Sequence, residues 1–264
     1  MLKMKRVFKR RVLLNPARWI VAGAATLLFG IGIVFYLGFT GSHKVCPWAL
    51  VEVPLLMLRT GVGVFFLGGI VAGVVVILLS LWRPRFFCGW VCPLGFISEI
   101  LGLLGEKLGL AAKPVPNWLN EKMRIFSYGV VILLVALTLA RGTLACAYFC
   151  PIFWLCAAWK ISVPATAIIG LAIWLVLSLR VRRGFCRYVC PVGAILGTVS
   201  RVSKYAVSLN LEVCTSCGLC SAACPMGIDV QNAGFYVKSA HCISCGDCIK
   251  SCPFNALSWG KRSG

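Results

Sequence analysis

Cys214-Thr215-Ser216-Cys217-Gly218-Leu219-Cys220-Ser221-Ala222-Ala223-Cys224-Pro225 is followed, after a short spacer, by Cys242-Ile243-Ser244-Cys245-Gly246-Asp247-Cys248-Ile249-Lys250-Ser251-Cys252-Pro253. Both stretches read Cys-x2-Cys-x2-Cys-x3-Cys-Pro. With that spacing three thiolates cap three irons of one cubane, while the fourth, turned away by its proline, reaches a second. The crossed rule assigns Cys214, Cys217, Cys220 and Cys252 to one [4Fe-4S] cluster and Cys242, Cys245, Cys248 and Cys224 to the other. Structural zinc needs four thiolates per metal and does not call for two complete runs ending in Cys-Pro. The expectation is a small C-terminal α+β domain, residues 205–260, of the bacterial two-[4Fe-4S] ferredoxin kind.

The remainder is not the sequence of a soluble carrier. Of 264 residues, 60% are hydrophobic and 13% charged, a composition typical of membrane proteins. Four apolar stretches, about Trp19–Phe39, Val62–Trp82, Ile125–Ala140 and Val163–Leu179, approach the length of a bilayer-crossing helix. None has the polar face of a core helix in a soluble protein. Lys and Arg crowd the N-terminal tail, the loop after the second stretch and the C-terminal part, while Lys44, Arg59, Arg141 and Lys160 fall on the other side. The positive-inside rule then places both termini and the ferredoxin-like domain in the cytoplasm of a bacterial or archaeal plasma membrane. The net charge of +20 is a topology signal. Its charges flank apolar spans and form no separate basic domain, which argues against nucleic-acid binding. The expected organisation is a basic tail (1–18), a four-helix transmembrane domain (19–200) and the ferredoxin-like domain. The first stretch is longer than a signal-peptide core and is expected to remain as an anchor. Residues 94–122 form the one sizeable cytoplasmic loop, helical over Leu94–Leu110 and lying along the membrane surface.

The spans repeat. Arg83-Pro84-Arg85-Phe86-Phe87-Cys88-Gly89-Trp90-Val91-Cys92-Pro93 matches Arg182-Arg183-Gly184-Phe185-Cys186-Arg187-Tyr188-Val189-Cys190-Pro191, with the cysteines at a constant offset of 98 residues. Cys46-Pro47 echoes Cys150-Pro151 in the same way. Two pseudo-repeated helical hairpins are the simplest architecture. Within each Cys-x3-Cys-Pro, proline suits the first turn of the following helix, which puts Cys92 and Cys190 at helix N-termini. There the dipole and nearby arginines favour a thiolate. Cys88, Cys92, Cys186 and Cys190 can meet at the inner membrane surface and hold a further iron-sulfur or metal centre; the alternative is buried structural cysteine.

Taken together, these features resemble the polyferredoxin-like membrane proteins that include NapH of periplasmic nitrate reductase systems and the C-terminal half of NosR. The resemblance covers nearly the whole chain, and the NapH-like form fits better because the periplasmic flavin domain of NosR is missing. It implies the electron-transfer subunit of a quinol dehydrogenase, taking electrons from membrane quinol and passing them to a periplasmic or membrane redox partner. Four outer-side cysteines, Cys46, Cys146, Cys150 and Cys156, are not required by the resemblance. They either form two disulfides or bind a metal at the outer surface.

Quinol oxidation releases protons, and on the outer side Glu52 is the only carboxylate and His43 the only imidazole. They are candidate proton acceptors, against the alternative that Glu52 is a solvated loop carboxylate beside Pro54. Glu99 is the alternative if quinol reacts at the cytoplasmic face. His241, next to Cys242, is expected to tune a cluster by a hydrogen bond or by charge. A second functional class remains open: an iron-sulfur or copper maturation factor of a respiratory oxidase or reductase. There is no helix-opening Gly-x-Gly-x-x-Gly for a dinucleotide and no Cys-x-x-Cys-His for covalent haem.

Overall fold

The computed structural model describes residues 15–35, 47–60, 67–110, 117–143, 145, 150–151, 165–237 and 240–262. It is mostly helical, with the two strands confined to the C-terminal domain. The four apolar stretches lie on α1 (Pro16–Phe35), α3 (Leu67–Trp82), α6 (Asn117–Arg141) and α7 (Ala165–Arg180), with α2 (Ala49–Thr60) between the first two. Helix α6 starts eight residues before the apolar stretch and ends at Gly142, whose φ of 64° is the left-handed stop that glycine takes without strain. Among the described residues, the part of α6 from Lys122 to Arg141 is long and apolar enough to cross a membrane; α3 and α7 carry shorter apolar stretches.

The repeat seen in sequence is a repeat in structure. After α3 the chain turns through Arg85 into α4 (Phe86–Trp90) and then α5 (Pro93–Lys107); after α7 it turns through Arg183 into α8 (Gly184–Tyr188) and α9 (Pro191–Val199). The two turns copy each other closely. Arg85 and Arg183 sit at φ 40° and 51°, Val91 and Val189 both at φ −118°, and Cys92 and Cys190 are extended N-caps with proline following. Positive φ at an arginine is uncommon and costs conformational energy, so tertiary contacts must hold both turns.

The halves are interlocked by exchange. Helix α5 packs on α7 and on α1, while α9 packs on α3 and on α6, so each repeat places its post-cysteine helix against a span of the other. At the α5–α7 crossing a Cβ on Gly105 would overlap the Leu179 carbonyl, so the backbones touch, as small residues allow between packed helices. One face of α5 is packed inside the protein: Leu94, Ser98, Glu99 and Leu103 are buried, and Ser98 accepts a 2.9 Å hydrogen bond from the Trp174 indole of α7.

The C-terminal domain is an antiparallel pair, β1 (Tyr205–Leu209) and β2 (Leu257–Lys261), in register Tyr205↔Lys261 to Leu209↔Leu257, with α10 (Leu219–Ala223) and α11 (Asp247–Ser251) between them. Its core unites Val207, Leu209, Met226, Ile243 and Leu257 with the cysteines of both runs, and Cys88 of α4 packs against the same core. This domain is seated directly on α4. Trp90 Nε1 donates to the Ser244 carbonyl at 3.0 Å, Ser244 Oγ donates to the Pro84 carbonyl at 2.7 Å, and Asn15 Nδ2 donates to the Cys245 carbonyl at 2.9 Å. A Cβ at Gly89 would overlap the Ile243 carbonyl oxygen.

That close approach gives a test. Gly89→Ala must push the backbone of residues 243–245 away, at a cost of about 1–3 kcal/mol for overpacking. Hydrogen exchange around Ser244 and proteolysis between Arg262 and α9 should both accelerate. Gly129→Ala, where no atom lies within 4 Å of the added methyl, should change neither.

Candidate metal centres and the interface between them

The two Cys runs adopt the same local path. Ser216 and Ser244 both stand at φ 52°, Gly218 and Gly246 at φ 75° and 77°, and a five-residue helix follows each glycine. Successive left-handed residues turn backbone N–H groups to one side, a concave arrangement that suits an anionic group. Cys224 and Cys252 end these helices in extended conformation, as a residue before proline prefers. The consequence is a crossing. Cys224, Cys242, Cys245 and Cys248 surround one cavity, otherwise apolar, while Cys214, Cys217, Cys220 and Cys252 surround the other.

The donor set fits iron-sulfur clusters. The Cys224 cavity offers four thiols among apolar residues, the other offers four thiols together with Thr215, Ser216 and Gln231, and the Ile228 N–H donates to Cys224 Sγ at 3.4 Å, the kind of bond that stabilises a thiolate. Among the described residues no three His, Cys, Asp or Glu side chains are placed to hold a single metal ion. The thiols thus ring a space and do not converge on a point. The cavity with Cys224 and Cys242 lies on the side of the helix bundle; the other is open to solvent at Cys217.

The Cys-x3-Cys-Pro cysteines also come together. Cys88 lies within electrostatic reach of Cys92 and Cys186, Cys186 of Cys92 and Cys190, and Cys190 of Cys88 and Cys92, so both repeats contribute to one partly buried group. Cys92 and Cys190 border the same apolar cluster of Leu94, Trp174 and Phe185. Backbone N–H groups of Gly95 and Gly193 face Cys92 and Cys190, as helix N-termini supply. The expected thiolate does not follow from this alone. Burial, reinforced by Cys92, pushes the Cys88 thiol up to about 12, and burial raises the other three as well. Without metal these are neutral thiols; a bound metal would be what removes their protons.

Two sets of buried arginines surround this arrangement. In the first, Glu99 of α5 accepts from Arg18 Nη2 at 2.7 Å and from Arg183 Nε and Nη2 at 2.9 and 2.6 Å, with Arg182 at 3.5 Å. Arg18 also reaches Asp247 of α11 at 3.4 Å, and Arg183 Nη1 donates to the Cys88 carbonyl at 2.6 Å. Burial by itself would raise Glu99, but Arg183, Arg18 and Arg182 outweigh it and hold the carboxyl down at about 2. In the second set, Arg124 Nη2 donates to the Met226 carbonyl at 2.8 Å, and Arg187 Nη2 donates to the Gly227 carbonyl at 3.4 Å and Nε to Asn120 Oδ1 at 2.7 Å. Arg85 reaches across to the other repeat, where its guanidinium fills the space beside Gly193 and Gly197.

Other residues singled out in the sequence fall as follows. Glu52 is not a solvated loop carboxylate: it is fully buried on α2 and accepts from Thr138 Oγ1 at 3.1 Å. Glu99 is ionised and committed to arginines, which makes it a poor proton acceptor. His241 is driven down to about 2 by burial and then by Arg85, Arg124, Arg187 and Arg201, so it is neutral and tunes nothing by charge. Cys150 packs beside Val192 and Ile195 of α9 and lies within electrostatic reach of Cys92, so it is drawn inwards towards the repeat cysteines. His43, Cys46, Cys146 and Cys156 lie outside the described residues. The buried arginines were not singled out as functional. Their signal was available in Arg85 and Arg183, which recur with the repeat.

Comparison with known proteins agrees with this geometry. A 4Fe-4S binding domain family matches twice, at residues 63–111 and 163–210, and a 4Fe-4S dicluster domain family matches residues 206–253. The putative electron transport protein YccM of Escherichia coli is 32% identical over 64% of this chain and 49% of its own length. The uncharacterized protein MJ0749 of Methanocaldococcus jannaschii is 33% identical over 87% of this chain and 83% of its own. The ferredoxin-type protein NapH of Haemophilus influenzae is 27% identical over 58% of this chain and 52% of its own, so the chain spans about half the length of YccM and of NapH. No solved structure matches. Thiol sites and fold define a ferredoxin-type electron transport protein with 4Fe-4S domains. Within that class the chain belongs to the NapH-type family of ferredoxin-like proteins.

The Glu99 cluster can be tested. Its depressed carboxyl contributes stability that is fully present above the ordinary Glu value of about 4.3 and is lost as pH falls towards about 2. Glu99→Gln leaves three guanidinium groups around a neutral amide, and thermal melting in detergent at pH 7 should show a loss of about 3 kcal/mol or more. The difference between variant and parent should shrink below pH 4.

Proposed function

We propose that this chain is the multi-pass, electron-transferring subunit of a quinol dehydrogenase in the plasma membrane, with both termini cytoplasmic, serving a periplasmic or membrane reductase system. The observation that carries it is the seating of one ferredoxin cavity, without intervening chain, on the α4 turn that holds Cys88. A soluble ferredoxin has no use for such a platform. Membrane residence is supported by large apolar side chains left bare on α1, α3, α6 and α7: Leu28 is 72% exposed, Ile132 70% and Ile169 58%. So many bare aliphatic side chains on adjacent helices suit lipid and not water.

In this reading Cys224, Cys242, Cys245 and Cys248 hold one [4Fe-4S] cluster and Cys214, Cys217, Cys220 and Cys252 a second. Cys88, Cys92, Cys186 and Cys190 hold a third. The family match supports the third: each 4Fe-4S binding repeat, 63–111 and 163–210, contains only two cysteines, so four ligands would require both halves. When bound, each cluster takes up and returns one electron. The protein orders the sites from the repeat cysteines, through the bundle-side cavity, to the solvent-side cavity at Cys217. Glu52, buried beside Thr138 on α2, is the candidate to accept a proton from quinol.

Two measurements check this. Anaerobically purified and reconstituted protein should contain about twelve irons, and Cys88→Ser should lower the content to about eight; about eight in both would remove the third cluster. Mixing the oxidised protein with reduced quinol should bleach cluster absorbance at a rate that saturates, and Glu52→Gln should slow it at least tenfold. Bleaching by dithionite but never by quinol would sink the quinol assignment.

A further inference from the structure

The repeat is broken at one functional position. Glu99 lies on α5, and the residue 98 positions later on α9 is Gly197. In the first half Arg183 crosses over and meets Glu99; in the second Arg85 crosses over and meets Gly197, where its Nη2 occupies the space a Cβ would take. That point lies 2.7 Å from the Ala240 carbonyl oxygen, two residues before Cys242. Arg85 is 3% exposed, its Nε has no hydrogen-bond partner, and among the described residues no carboxylate pairs with it. Arg124 and Arg187, each 7% exposed, stand on the Met226 and Gly227 carbonyls just after Cys224, likewise without a carboxylate among the described residues. The equivalent stretch of the other run, Pro253-Phe254-Asn255, has no arginine on it among the described residues, and Phe254 is half exposed.

We infer that Arg85, Arg124 and Arg187 form a cationic cradle that makes the centre of Cys224, Cys242, Cys245 and Cys248 the higher-potential of the two ferredoxin centres. The inference rests on the reading that these cysteines hold a cluster. Reduction adds a negative charge to an already anionic group, and buried fixed cations stabilise the reduced form. Burial acts in the opposite direction, since it penalises added charge, and so does the Asp247 carboxylate beside Cys245 and Cys248, which Arg18 at 3.4 Å offsets. The same contest is decided at Glu99, where three guanidinium groups outweigh burial and keep the carboxylate charged. Electrons entering from the helix bundle therefore settle on the bundle-side centre, and Cys217 faces the exchange partner from the lower-potential one. The arginines are positioning residues. They touch no reacting atom and act on the thiol-held group through its surroundings.

The test is a redox titration of the full chain in detergent, anaerobic and reconstituted, followed by electron paramagnetic resonance. Cys242→Ser and Cys217→Ser identify which step belongs to which centre. The bundle-side step should lie above the solvent-side step by at least tenfold in reduction equilibrium constant, about 59 mV for one electron. Arg85→Met should lower the bundle-side step by a comparable factor and leave the solvent-side step in place, while Arg85→Lys should restore the parent value. Coincident steps, a shift confined to the solvent-side centre, or equal effects of Arg85→Met and Arg85→Lys would overturn the inference. Iron analysis separates its failure from that of the reading beneath it. Fewer than about eight irons per parent chain overturns both, whereas full iron with coincident steps overturns only the inference.

Discussion

Glu99 meets three arginines where α1, α5, the turn before α8 and the ferredoxin-like domain come together. Arg18 comes from α1, Arg182 and Arg183 from the turn before α8, and Arg18 continues to Asp247 on α11. Removing three guanidinium groups and two carboxylates from water is expensive, and such a cluster persists only where its geometry is well satisfied. Here it also holds Arg183 in its left-handed conformation and directs Arg183 Nη1 to the Cys88 carbonyl. The position of the first repeat cysteine, the crossing of the halves and the attachment of the ferredoxin-like domain thus share one electrostatic anchor.

The fold above that anchor is a duplication whose halves trade helices. Exchange makes the repeat cysteines neighbours: each post-cysteine helix leans on a span of the opposite half, so Cys92 and Cys190 border one apolar cluster. A second, smaller duplication builds the ferredoxin-like domain, with matching left-handed serines and glycines in its two loops. In both cases a short repeated motif cannot complete a four-thiol site by itself, and pairing two copies does so.

Much of this was legible in the chain. Period and apolarity located α1, α3, α6 and α7, the proline after each second cysteine located the starts of α5 and α9, and the Cys-Pro ends of the two runs foretold the crossing of Cys224 and Cys252. What escaped was tertiary. Glu52 reads as a loop carboxylate beside a proline, yet a helix with Pro54 inside it forms there and buries the side chain against Thr138. The thiolate expected at Cys92 was argued from the helix N-terminus and nearby arginines, and burial, which no local pattern reports, outweighs both. The close packing of segment 94–110 on α7, where Gly102 and Gly105 bring the backbones together, has no counterpart in its local pattern.

The departure from symmetry between Glu99 and Gly197 gives the duplication a direction. A perfectly symmetric pair of repeats would give the group of four thiols two equivalent faces, with no preferred neighbour for an electron to reach. Placing a carboxylate in one half neutralises Arg183 where the chain needs an anchor. Leaving glycine in the other frees Arg85 to lie beside Ala240 and His241, on the face where the bundle meets Cys242. His241 is kept neutral first by burial and then by that positive field. The same buried cations that are costly to fold become useful once an anionic group occupies the cavity beside them, since each then stabilises the other. Arg18, Arg182 and Arg183 thus serve the anchor, while Arg85, Arg124 and Arg187 lie on the side of the Cys224 and Cys242 cavity.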